Sequence, residues 1–232
     1  MMSFDRRAIL KAGAAVALSA GTPRLAAACG ESSSHAAGWR SFEVVTRLEI
    51  AGIDVGDRWE DLADHLTARA RDTVQPFLTL QYLYGLARAR RPQAETLLQT
   101  VRDHALGAPP YARAVWREVA LPGCEGLHAY ARGDYDRAWH QLSKVAPRMA
   151  EAGGSHAQRD LFEQILLDAA QKSGRLVGAQ QMLELRRNAD PGGVPVNTAL
   201  AAVYGKLGLA SLAEQALSRA ALTRARHAEG RP

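Results

Sequence analysis

The sequence predicts an all-α protein built from antiparallel helix pairs that stack into an α-solenoid. Of its 232 residues, 47% are hydrophobic and 23% charged, a composition typical of a globular domain or a repeat array. Alanine, leucine and arginine are abundant while aromatic residues make up only 6%, which favours helix over sheet. Apolar residues recur at helical spacing beyond residue 39, and a pattern of glycine, alanine and leucine recurs in the same part of the chain.

The first 28 residues have the layout of an export signal. A basic start, "DRRAILK", precedes a short and mildly apolar stretch, and Ala26–Ala28 resembles the small-residue site at which such signals are cleaved. The apolar stretch, residues 12–21, is too short to cross a bilayer, which takes about 20 residues. The alternative is an amphipathic first helix of the folded domain. Removal of residues 1–28 as a signal peptide is the favoured interpretation.

The basic start is similar to the twin-arginine signal family. Arg6 and Arg7 are followed by two apolar residues and a lysine, although Asp5 stands where Ser or Thr is commoner. This resemblance implies a protein that folds before export to the periplasm or cell envelope. Cys29 follows the signal directly and is a candidate for lipidation. Because Leu25 lies four positions before Cys29, rather than the usual three, a soluble periplasmic product is favoured.

Charge and composition divide the remainder of the chain. Residues 29–38 are small and polar and predict a flexible linker, 39–228 the helical repeat domain and 229–232 a disordered tail. Four basic residues and one acidic residue within 1–28 supply +3 of the net charge of +5, which leaves +2. A body so close to neutrality has no general attraction for phosphate backbones, so nucleic acid is not an expected partner. Membrane contact is expected only through the signal peptide or a lipid anchor.

The segment "DRWEDLADHLTARA" has the clearest helical periodicity. Its apolar face follows the i, i+3, i+4, i+7 spacing through Trp59, Leu62, Ala63 and Leu66. Asp57 precedes this face and is placed to cap the helix N-terminus, while Gly52 and Gly56 interrupt the preceding helix.

A repeated pattern predicts how the helices pair. Glycine is followed by Ala five residues later and Leu nine residues later at Gly133, Ala138, Leu142; Gly174, Ala179, Leu183; and Gly208, Ala213, Leu217; the pattern recurs without glycine at Ala89, Ala94, Leu98. Glycine is expected to end one helix in a left-handed turn, and alanine lets the next helix pack closely. The starts lie 44, 41 and 34 residues apart, and the last spacing is the tetratricopeptide period. The pattern favours a tetratricopeptide-like array over generic helical hairpins with coincidental glycine turns.

The stretch "GGSHAQRD", residues 153–160, carries the densest set of polar side chains. Ser155 and Gln158 have the spacing of a capping box, so a helix is expected to start here. His156 and Arg159 would then lie in the first turn, where the helix dipole disfavours positive charge by about 0.3–1 kcal/mol. A scaffold alone gives no reason for that placement.

Three interpretations of this stretch stay open. In the first, Arg159 reaches Asp54 or Asp57 of "GIDVGDRW" in a structural junction. In the second, the cluster contacts a ligand. In the third, His156 is a general base and Arg159 holds an anion beside Asp160. The junction is favoured because polar clusters at helix starts are more often structural.

Other chemistry finds little support in the sequence. His128, His140 and His156 lack the close spacing of zinc ligands, and no calcium loop, nucleophile elbow, phosphate-binding loop or dinucleotide fingerprint occurs. No metal and no cofactor are expected. Cys124 is expected to behave as a small buried hydrophobe.

Three segments resemble the tetratricopeptide repeat protein 38 family: Arg47–His65, Tyr130–Leu142 and Gly153–Arg175. The resemblance covers about 44–185 and implies an all-α, tetratricopeptide-like fold with no established enzymatic activity. Members are typically longer, with helical sequence where this chain has its signal-like segment. "TLQYLYGLARARRPQAE" also lacks the Asp-His usually found nearby. The candidate binding or junction residues are His156, Gln158, Arg159, Asp160, Asp54, Asp57 and Arg58.

The sequence therefore predicts an exported, non-catalytic scaffold that binds a protein or peptide. A ligand-processing or hydrolytic enzyme that uses "GGSHAQRD" is the alternative.

Overall fold

The computed structural model describes residues 34–228 and residue 230, with side chains from residue 42 onward. Over this part of the chain the protein is all-helical and has no strand, so the predicted all-α class is confirmed. The predicted export signal with Arg6 and Arg7, and the lipidation candidate Cys29, lie outside the described residues. No helix among those described is long and apolar enough to cross a membrane.

Twelve α-helices follow one another along the described residues. They are α1 Ser34–Ile50, α2 Arg58–Leu66, α3 Pro76–Arg88, α4 Gln93–Gly107, α5 Pro110–Val115, α6 Leu121–Ala131, α7 Tyr135–Val145, α8 Met149–Ala152, α9 His156–Lys172, α10 Leu176–Ala189, α11 Val194–Lys206 and α12 Ala210–Ala228. A π-helical turn, Trp116–Ala120, connects α5 to α6, and Pro122 is the second residue of α6. Since proline has no N–H to give to a preceding carbonyl, a widened turn suits this position.

The first described helix overlaps the segment predicted as a flexible linker. The helix α1 includes residues 34–38 of that segment, so the linker prediction is wrong there. Two of these residues are alanines, and alanine is the strongest helix former, which accounts for the helix.

The helices pack as consecutive pairs in the C-terminal half. The pairs α6–α7, α9–α10 and α11–α12 are in contact, and α7 also packs on α9 and α10 on α11. In the N-terminal half, α3 is central, because it packs against α2, α4 and α6.

The turns between paired helices follow the glycine pattern. Gly133, Gly174 and Gly208 have φ of 82°, 74° and 74°, so the predicted left-handed turns are confirmed. The first occurrence differs, because the positive φ there belongs to Arg90, at 54°, one residue after the matched Ala89.

The leucines of the glycine pattern are buried at its earlier occurrences and exposed at its last. Leu142 and Leu183 are buried, each 2% exposed, whereas Leu217 is 51% exposed. Ala216 and Ala220 form the buried face of α12 instead. The helix α12 packs on α11, and the exposed Leu217 is not part of its buried face.

Buried side chains form two cores. The N-terminal core runs from Phe42 to Ala169 and contains most of the buried aromatic rings. The C-terminal core is smaller and is built from Ala170, Ala179, Leu183, Leu200, Ala201, Val203, Tyr204 and Ala216.

Candidate functional site

The start of α9 is the capping box that the sequence predicts. Gln158 N donates to Ser155 Oγ at 3.3 Å, and Ser155 N donates to Gln158 Oε1 at 2.8 Å. The apolar stripe behind it is buried as expected: Leu161, Phe162, Ile165, Leu166 and Ala169. The preceding glycine has a packing role, since a Cβ on Gly154 would lie 2.5 Å from the ring of Phe77. These features account for much of "GGSHAQRD" without any ligand.

Asp160 joins three helices. Its carboxylate accepts from Arg47 Nη1 of α1 at 3.3 Å and lies 2.8 Å from Arg186 Nη2 of α10. Gln164 Nε2 also donates to it, at 2.7 Å, and Arg47 Nη2 donates to the Ala157 carbonyl at 2.9 Å. These residues are called the Asp160 junction below. A carboxylate shared by two guanidinium groups holds α1, α9 and α10 in register.

Arg159 does not make the contact expected of it. Its guanidinium donates to the carbonyl of Gly154, and among the described residues it has no bond to Asp54 or Asp57. The expected cross-helix pairing of Arg159 is therefore wrong. Gly153 and Gly154 have φ of 107° and 76°, and the turn they form gives Arg159 an acceptor in its own loop.

The other polar residues of "GGSHAQRD" do not converge on a pocket. His156 is exposed and has no hydrogen-bond or ion-pair partner among the described residues. Arg159 lines a cavity of only about 10 Å³ together with Met149 and Phe162, which is room for one water at most.

The "GIDVGDRW" segment is held by local bonds. Gly56 N donates to Asp54 Oδ1 at 2.9 Å, and Arg58 Nη1 donates to the Val55 carbonyl at 2.7 Å. Asp57 stands at the N-cap of α2, but its side chain makes no capping bond, so the expected cap is wrong. Its ψ of 11° departs from the extended backbone of most capping residues. The Asp57 carbonyl accepts from Glu60 N instead, at 3.0 Å.

An open cleft of about 370 Å³ lies beside this segment. Its charged and polar lining comes from α1, the α1–α2 loop, α2, the end of α3 and the turn after α3: Glu49, Asp54, Trp59, Glu60, Arg88 and Arg90. We call it the Trp59 cleft. Of the residues proposed from the sequence, it contains Asp54. Sequence reasoning missed Glu49, Arg88 and Arg90, because they are brought together only by helix packing and form no local motif.

A bidentate ion pair forms part of the cleft wall. Arg88 Nε donates to Glu49 Oε2 at 3.0 Å, and Arg88 Nη2 donates to the other carboxylate oxygen. The Arg88 guanidinium also lies over the Trp59 ring, 5.8 Å from its centroid. The indole N–H of Trp59 is buried and has no acceptor among the described residues.

Tyrosines extend the polar region inward from the ion pair. Tyr130 Oη donates to Asp168 Oδ2 at 2.5 Å, and Lys172 Nζ lies 2.7 Å from the same carboxylate. Burial, with nearby carboxylates adding to it, raises the pKa of Tyr84 and Tyr130 well above the usual range. Both hydroxyls are therefore neutral donors, and that of Tyr84 has no partner among the described residues.

Histidines and cysteine take ordinary packing roles. His128 Nε2 lies 2.9 Å from Glu95 Oε1, and the His104 ring stacks edge-on against Trp116. Cys124 is fully buried, and burial raises the pKa of its thiol, so it is the small neutral hydrophobe that was predicted. Over the described ranges, no group of three or more His, Cys, Asp or Glu residues is arranged to hold a metal ion.

No family model matches this chain, and no solved structure matches it.

Proposed function

We propose that this chain is an exported, non-catalytic repeat protein, similar to the tetratricopeptide repeat protein 38 family, that binds a protein or peptide partner. One observation carries the proposal. The helix pairs α6–α7, α9–α10 and α11–α12 share a left-handed glycine turn, and the second helix of one pair packs on the first helix of the next. This packing supports a tetratricopeptide-like array, and such arrays have an extended surface suited to partner binding.

Polar links between helices support a rigid surface. Arg175, in the turn before α10, lies 2.6 Å from Asp136 of α7, and Arg186 of α10 lies 3.2 Å from Glu163 of α9. Within the last pair, Arg219 Nε donates to the buried Asn197 at 2.8 Å. A surface already fixed by such contacts loses less conformational entropy when a partner binds.

The "GGSHAQRD" stretch contributes to this surface one polar side chain that has no bonding partner among the described residues. Asp160 is held by two arginines and Arg159 by its own loop, while His156 stands exposed at the start of α9. We assign His156 to partner contact and the Asp160 junction to the integrity of the helix stack. The sequence itself carries no recognised catalytic signature.

The hydrolytic alternative receives less support. It needs His156, Arg159 and Asp160 to face a common pocket, but Arg159 lines only the cavity of about 10 Å³ and Asp160 is engaged on both oxygens. A substrate site is usually about 300 Å³ or more.

Affinity capture tests partner binding. The purified chain is used as bait against a bacterial periplasmic extract, beside His156→Asp and the control His227→Ala, an exposed histidine at the end of α12. We expect a partner retained by wild type and by the control and lost by His156→Asp. Its dissociation constant is then measured with the purified partner. Equal recovery on all three baits contradicts the proposed contact.

Mass spectrometry of the secreted N-terminus tests export separately. We expect cleavage after Ala28 in the wild type and an uncleaved cytoplasmic chain for the Arg6→Lys/Arg7→Lys variant. A mature mass increased by acyl chains on Cys29 would identify a lipoprotein, and an intact N-terminus in both chains would overturn the export proposal.

A further inference from the structure

The Trp59 cleft carries an inference separate from partner binding by the helix stack. We infer that this cleft binds a compact zwitterion, a free amino acid or a short peptide with unmodified termini. Its volume of about 370 Å³ lies at the lower end of ligand pockets, which run from about 300 to 1,000 Å³. A ligand with a single amino acid or dipeptide skeleton suits that size.

The charges of the cleft specify both ends of the ligand. Its wall contains three carboxylates and two guanidinium groups, of which Glu49 and Arg88 satisfy each other. Glu60 has no partner among the described residues, and Asp54 uses one oxygen on Gly56 N. Among those residues the Arg90 side chain likewise has no partner. Two carboxylates therefore remain for an ammonium group and one guanidinium for a carboxylate.

The backbone at Arg90 adds a second observation. The three matched hairpin turns have glycine at the residue with positive φ, but this turn has Arg90 at φ 54°. Because of its Cβ, an L-residue adopts this left-handed conformation less readily than glycine does. Backbone strain of this kind often occurs at ligand sites, and Arg90 lines the cleft.

Trp59 supplies a third observation. The residue lines the cleft and is 4% exposed, yet its indole N–H has no acceptor in the described part of the protein. Buried donors are nearly always satisfied, so an indole N–H without an acceptor is an unusual feature in a residue that lines a cleft. A simple cation would leave Arg90 unmatched, and a simple anion would leave Asp54 and Glu60 unmatched.

Calorimetry and NMR on the purified chain test the inference. The probes are glycine, glycylglycine and alanylglycine, each compared with N-acetylglycine, which lacks the ammonium group, and with glycinamide, which lacks the carboxylate. The indole ¹H–¹⁵N resonance of Trp59, assigned with Trp59→Phe, reports binding at the cleft. We expect at least one zwitterion to shift this resonance and to bind about tenfold or more tightly than either capped analogue.

Three variants separate binding from folding. Arg90→Gly relieves the backbone, so we expect it to fold at least as stably as wild type while losing about tenfold or more in affinity. Glu60→Gln is expected to weaken binding as well, whereas Glu214→Gln, an exposed glutamate on α12, leaves it unchanged. Failure of every zwitterion to shift the Trp59 resonance overturns the inference, as does equal binding of zwitterions and capped analogues. Loss of partner capture with intact zwitterion binding would count against the proposed function alone.

Discussion

The two cores of the molecule are built from different side chains. The N-terminal core contains packed aromatic rings, including Phe42, Trp59, Phe77, Tyr84, Trp116, Tyr130 and Phe162, whereas Tyr204 is the one buried aromatic residue of the C-terminal core. An aromatic side chain buries about 150–250 Å², so the N-terminal core gains more hydrophobic stabilisation per residue. The C-terminal core depends on alanines that let neighbouring helices approach closely.

The difference implies that stability is graded along the chain. In the described C-terminal region, α12 packs on α11 and α11 on α10, so each of these helices packs on its neighbour along the chain. Its surface leaves several leucines substantially exposed: Leu185, Leu209, Leu212, Leu217 and Leu222. We expect this region to open before the aromatic core does.

Phe77→Ala should give the largest loss. Phe77 is 2% exposed, and its ring contacts that of Phe162 edge-on at a centroid distance of 5.5 Å. We expect the free energy of unfolding to fall by about 3–5 kcal/mol, measured by chemical denaturation. Val74→Ala, at an 89% exposed position nearby, is the control. A Phe77→Ala loss below about 1 kcal/mol would contradict the importance of the aromatic core.

Leu200→Ala should act locally on the C-terminal core. Leu200 is fully buried, and its truncation is expected to remove about 2–5 kcal/mol. Hydrogen exchange should show lost protection in α10, α11 and α12 while α3 and α6 remain protected, because the two cores are distinct. Uniform loss of protection across all these helices would show that the chain unfolds as one unit.

Asp160→Asn should weaken the link between α1, α9 and α10. Because the junction side chains are about 30% exposed, solvent screening limits the expected loss to about 1–2 kcal/mol. The neighbouring His156→Ala has no bond to lose and serves as the matched control. The difference between the variants should shrink in about 1 M salt, where the screening length falls to about 3 Å. Equal stability of both variants at low salt would remove the junction as a stabilising feature.

Gly133→Ala and Arg90→Gly, at two turns between helices, should change the free energy of unfolding in opposite directions. Gly133→Ala meets no atom within 4 Å, so its whole cost is the left-handed backbone, about 1–2 kcal/mol. Arg90→Gly should instead raise the free energy of unfolding by about 0.5–1 kcal/mol. Thermal melts of both variants test the pair. Destabilisation by Arg90→Gly would show that the Arg90 side chain contributes more to the fold than its backbone costs.

Leu217→Ala should have the smallest effect. It occupies the position equivalent to Leu183 in the sequence pattern, but it is 51% exposed where Leu183 is 2% exposed. We expect a change within about 0.5 kcal/mol for Leu217→Ala and a loss of about 2–5 kcal/mol for Leu183→Ala. Comparable losses in denaturant titrations would mean that the outer face of α12 is covered in solution.

Features that depend on a few adjacent residues were predictable from the sequence. The capping box of Ser155 and Gln158 and the left-handed turn at Gly133 are set by local backbone chemistry. The buried stripe of α9 follows equally from the helical period.

Features that depend on the arrangement of whole helices were not predictable. Asp160 meets Arg47 across 113 residues, and no local pattern marks that pair. The sequence suggests Asp54 or Asp57 as the partner of Arg159, but the acceptor in the structure is the Gly154 carbonyl. A backbone carbonyl has no signature in a sequence. The exposure of Leu217 depends on how α12 packs on α11, which the sequence pattern does not specify.

The separation of Arg47 and Asp160 also sets a time for ribosomal synthesis. Chains grow at about 5–20 residues per second, so the acidic partner is made about 6–23 s after the arginine. Over that interval α1 can associate only with the parts of the protein already translated, such as Trp59 and Tyr84, which its Phe42 contacts. The helix α1 therefore completes its contacts late in synthesis. In a nascent chain that is halted before α9, α1 stays accessible to chaperones and proteases.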